Sequence, residues 1–171
     1  TPPDGANLNN YPVGDSVLVV STGGEAQISV NSGTQSGILI IRASCTSGSG
    51  RCVRATKANI LIQAGPPAEV IPSIGLFNTG ENMGGGLWRV IAQAVVKDVY
   101  GNSVGNNTSV FFELINNITN CQIGANAYTG NVSVDEDSLA GVAFTTITYS
   151  GIYTYDWITI RASTGAMQGE G

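Results

Sequence analysis

The stretch "AGVAFTTITYSGIYTYDWITIRAS" (residues 140–163) has an earlier counterpart in "GGEAQISVNSGTQSGILIIRAS" (residues 23–44). Gly141 falls on Gly24, Ala143 on Ala26 and Ile147 on Val30, an offset of 117, while Arg161 falls on Arg42, an offset of 119. The slip belongs in the connection between strands, where insertions are tolerated. A self-similar segment is the first thing to settle about a fold, because it sets the structural unit. Both copies read as strand, short turn, strand. Residues 26, 28 and 30 alternate with polar neighbours, as do 143, 145 and 147, which is the period of two of a half-buried strand. The same period explains why Ile and Arg stand side by side in both closing strings: Ile and Ala point inward, Arg and Ser outward.

Composition agrees with an all-β chain. Of 171 residues, 42% are hydrophobic and only 11% charged, against roughly 25% charged in an average globular protein. Ser, Thr, Asn and 23 Gly must therefore cover the surface; these residues disfavour helices. Between the two copies, "GPPAEVIPSIG" (65–75) reads as a linker running into an edge strand, since Pro cannot donate to a central ladder. "LWRVIAQAVVKDVYGNSVGNNTSVFFEL" (87–114) reads as a long strand, a turn at Tyr100-Gly101-Asn102 and a returning strand. Trp88, Val90, Ala92, Ala94 and Val96 share one face of the first strand, and Val110 and Phe112 belong to the facing one. Many short strands spaced by Gly and Asn turns predict a sandwich rather than parallel βαβ units. Trp88, Val90, Val96, Val110, Phe112, Ala143 and Ile147 are expected in one core.

In this order the pieces resemble the bacterial immunoglobulin-like repeats of invasin- and intimin-type surface adhesins. "AGPPAEV" matches the start of a repeat, "AVVKDVYGNSV" the family's "VTDxxGNPV" turn, "VFF" its "VxF" strand, "AGVAFTTI" its "GxAxxxL" strand, and "GIYTYDWITIRAS" its closing strand. The likeness runs from Ala64 to Ser163, with the first copy matching only the second half. Ser103 stands where the family has Pro, "DEDSLAG" replaces a shorter turn, and a Cys-bracketed excursion follows Ser44. The resemblance implies an immunoglobulin-like antiparallel β-sandwich of seven strands: a partial module over 1–64 and a complete or nearly complete one over 65–171. It implies a spacer or adhesive role at a cell surface or filament, with neighbouring modules or further copies as partners, and no catalytic residues. A fold serves many functions. The alternatives are therefore a carbohydrate- or partner-binding accessory module of a secreted enzyme, and a phage surface decoration protein.

Single residues add little chemistry. There is no His, and neither a nucleophile elbow nor a phosphate loop; "GENMGGGLW" lacks the Lys and Ser/Thr of the latter. No enzyme activity and no cofactor are expected. With net charge −5, and only Arg51, Arg54 and Lys57 close together, no nucleic-acid footprint is present. No apolar run reaches the ~20 residues of a membrane helix. The opening "TPPDGANLNN" has no signal-peptide character, so an extracellular chain would have shed its signal or be an excerpt of a longer one. Asp135, Glu136 and Asp137 form the one acidic cluster. They are a weak candidate for Ca²⁺, lacking EF-hand spacing, and a solvated acidic turn is the preferred reading. Asn106, Asn107, Asn117 and Asn131 each begin a glycosylation sequon. Trp88, Tyr149, Tyr153, Tyr155 and Trp157 invite a sugar platform, but strand aromatics more often fill a core.

Two consequences follow from the frame. Residues 1–64 hold only the second half of a module, leaving apolar faces and strand edges uncovered. Either the chain is cut from a longer repeat protein, or a neighbouring chain supplies the missing strands through "GDSVLVVS" (14–21) or the C-terminal tail, giving head-to-tail polymers. Cys45 and Cys52 bracket "TSGSGR", where a disulfide would close a hairpin and imply an oxidising compartment; Cys121 is left over and reads as buried. Peptide mapping without reductant is expected to recover Cys45 linked to Cys52, with a stabilisation of roughly 2–3 kcal/mol; two alkylatable thiols in native material would rule the link out.

Overall fold

The structure is a computed structural model that describes residues 5–10, 16–45, 58–75, 80–115, 121–134, 137–153 and 157–171, apart from the side chains of 134, 137, 138 and 153. It is all-β and divides into two compact units, Thr1–Gln63 and Ala64–Gly171. Among its described residues the first unit has two two-stranded ladders. Strand β1 (Asn7–Leu8) pairs with β2 (Val30–Asn31), and β3 (Gly37–Ile41) pairs antiparallel with β4 (Ala58–Ile62).

The second unit is a sandwich. Its strands are β5 (Glu69–Ile74), β6 (Glu81–Gly84), β7 (Leu87–Lys97), β8 (Ser109–Leu114), β9 (Gln122–Ile123) and β10 (Asn126–Tyr128). They are followed by β11 (Gly130–Val134), β12 (Asp137–Ser150), β13 (Ile160–Thr164) and β14 (Met167–Glu170). One sheet has the order β11-β12-β7-β5, with β6 also on β7 and β9 on β12; the other has the order β10-β8-β13-β14. Every pairing is antiparallel. Strand β5, with Pro72 in it, lies at the end of its sheet, the position Pro tolerates.

Alternation builds the core. Ala94 and Val96 of β7, Ala143 of β12 and Val70 of β5 face Val110 and Phe112 of β8, Ala127 of β10 and Ala162 of β13. Small residues on one layer leave room for the Phe112 ring from the other, which is fully buried. Dense filling of this kind is what a packed interior demands. A second cluster holds Val90, Ala92, Ile147 and Ile160, and Ile123 packs against both. The expected single core is thus two clusters, with Val96, Val110, Phe112 and Ala143 in one and Val90 and Ile147 in the other. Trp88 is in neither; it stands half-buried opposite Tyr149, where β7 and β12 reach the end of the sandwich.

Glycine decides two places. Gly84, Gly85 and Gly86 all have positive φ, so the "GGG" that failed as a phosphate loop is the tight turn joining β6 to β7. At the other end, a Cβ on Gly169 would lie 2.0 Å from the Val70 carbonyl oxygen, and one on Gly171 2.5 Å from that of Pro72. Only glycine lets the last strand lie this close over β5.

The internal repeat is not kept in register between the two copies. Ile160 exchanges two backbone hydrogen bonds with Gly171, at 2.9 and 3.0 Å. Its counterpart Ile41 is paired with Ala58. Ile160 is thus the first residue of β13 and Ile41 the last residue of β3, so the two ladders lie on opposite sides of the motif isoleucine. The rest of the first copy departs from expectation. Ala26 and Ile28 are exposed and only Val30–Asn31 is strand, whereas β12 runs from Asp137 to Ser150. The physical reason is partnership: β12 is held on both sides by β7 and β11, and no described strand does this for residues 24–29. Likewise Ile160 and Ala162 are buried, while Arg42, Ala43 and Ser44 are exposed.

Phe112→Ala is expected to cost about 3–5 kcal/mol, the range for emptying an aromatic core site. Denaturant unfolding measures it, and a loss below ~1 kcal/mol would show that this ring does not key the two layers together.

Candidate functional site

The residues singled out from sequence are not brought together. Asn106 and Asn107 are exposed in the connection from β7 to β8, and Asn131 is exposed on β11. Asn107 is left-handed (φ 67°), with its N–H donating to the Thr129 carbonyl at 2.8 Å. Thr108 follows with its hydroxyl donating to the Gly105 carbonyl at 3.0 Å. Asn117 lies outside the described residues, as do Asp135 and Glu136; Asp137 contributes its backbone to β12. No group of three His, Cys, Asp or Glu that could hold a metal occurs among the described residues. Cys45 is exposed and Cys121 is buried, but Cys52 lies outside the described residues. Of the aromatic group, Tyr149 is half-buried beside Trp88, and Trp157 is 87% exposed. Tyr155 and the Tyr153 side chain are not described. No described helix is long and apolar enough to cross a membrane.

The surface best placed to meet a partner is the outer face of the β10-β8-β13-β14 sheet. Cross-strand register puts Asn126, Phe111, Ser163 and Gln168 in one row, and Glu113, Arg161 and Glu170 in the next. Tyr128, opposite Ser109, stands at the side of this face, 66% exposed, and Phe111 is 45% exposed. Arg161 donates to Glu113 at 3.1 Å and to Glu170 at 2.5 Å. The Glu170 hydrogen bond, offset by burial and helped by Glu113, raises its pKa above the usual value. The face is thus polar with two aromatic rings and an ion-paired row. The signal for Phe111 was present in "SVFFEL": alternation puts Phe111 on the face opposite Phe112.

Sequence reading missed Asp98 altogether. Its carboxylate is 3% exposed and fully used. Oδ1 accepts the N–H groups of Tyr100 and Asn102, both at 2.9 Å, and Oδ2 accepts the Gly65 N–H and the Asn102 amide, again at 2.9 Å. With both oxygens engaged by four donors, the carboxylate acts as a structural clamp. Burial alone would raise its pKa. The Asn102 side chain and the N–H groups of Gly65, Asn102 and Tyr100 outweigh that and lower it from 3.8 to about 2.

The sign of the pH dependence follows. A carboxyl with a depressed folded-state pKa contributes stability that is full above its ordinary value and is lost as pH falls toward the folded one. Denaturant midpoints should therefore fall as pH drops from about 4 to about 2, the two values bracketing Asp98. Asp98→Asn should flatten that fall, and Asp98→Ala should cost at least ~1–3 kcal/mol by leaving buried donors unpaired. An acid limb unchanged in Asp98→Asn would reject the clamp as its source. No family model matches this chain, and neither a curated protein nor a solved structure matches it.

Proposed function

We propose that the chain is a non-enzymatic structural or adhesive protein of an extracellular surface or filament assembly, with Ala64–Gly171 an immunoglobulin-like module of the invasin/intimin repeat type. The observation that carries this reading is strand order. With β5, β7, β8, β11, β12, β13 and β14 taken as A, B, C, D, E, F and G, the sheets read D-E-B-A and C-F-G, with β10 added beside C. This order is the one expected of a constant-type immunoglobulin sandwich and supports the reading. The low charge content fits a module that meets neighbours rather than nucleic acid. Self-association or contact with adjoining modules is the expected partnership, and a Cys45–Cys52 disulfide would suit an oxidising exterior. Immunogold electron microscopy of the source cells tests the proposal. Label along surface filaments or the cell envelope is expected; label confined to the cytosol would overturn it.

A further inference from the structure

We draw no further inference here: the strongest candidate, the outer face of the β10-β8-β13-β14 sheet, where Phe111 and Tyr128 stand exposed beside the Arg161 ion pairs, carries none, because nothing in the structure shows what covers it.

Discussion

The sandwich depends on one buried carboxylate. Asp98 ends the long strand β7 and turns the chain toward the opposite sheet, and it does so by collecting four donors from two separated segments. Tyr100 and Asn102 belong to the turn that Asp98 itself begins; Gly65 stands where the module begins. Two further bonds show the consequence. The Ala68 N–H donates to the Lys97 carbonyl at 2.8 Å, and the Val104 N–H to the Val96 carbonyl at 3.1 Å. Holding Gly65 and the 98–104 turn to one carboxylate fixes where β5 enters against β7. In a sheet, that fixes which side chains face inward, because a slip of one residue inverts the faces.

With the register set, size complementarity closes the layers. Ala94, Ala143 and Ala162 are poor at burying area, yet they make the space Phe112 occupies. At the margin the logic runs the other way. Gly169 and Gly171 remove side chains so that β14 can lie against Val70 and Pro72 of β5, bringing strands of the two sheets together. Gly141 plays a similar part on β12: with φ at 72°, a Cβ there would stand 2.8 Å from the Val96 carbonyl oxygen. Small residues mark the places where backbone or ring comes closest.

The two copies of the motif form a natural control. Near-identical strings take different places in their ladders: Ile160 begins β13 and is buried, whereas Ile41 ends β3 and is not. The string alone fixes neither the bounds of its strand nor its burial; both come from strands elsewhere. The polar outer face around Arg161, with Phe111 and Tyr128 exposed, is a separate surface on the closed unit.

The all-β class, the strands at 87–97 and 109–114, the edge position of the Pro72 strand and the inward set from Val90 to Phe112 were all legible in the sequence. They are written in short-range terms: period-two alternation, turn glycines, and proline where a ladder donor is not needed. What only the tertiary structure decided are the pairings between distant segments. Asp98 looks like an ordinary surface acid in "VVKDVYGN" until Gly65 is brought to it from 33 residues away. Ile123, from a two-residue strand too short to signal itself, packs against both core clusters. Residues 24–29 alternate like β12, yet no described strand flanks them on both sides as β7 and β11 flank β12. Alternation states which face a strand would bury; whether it has anything to bury it against is a property of the assembled sheet.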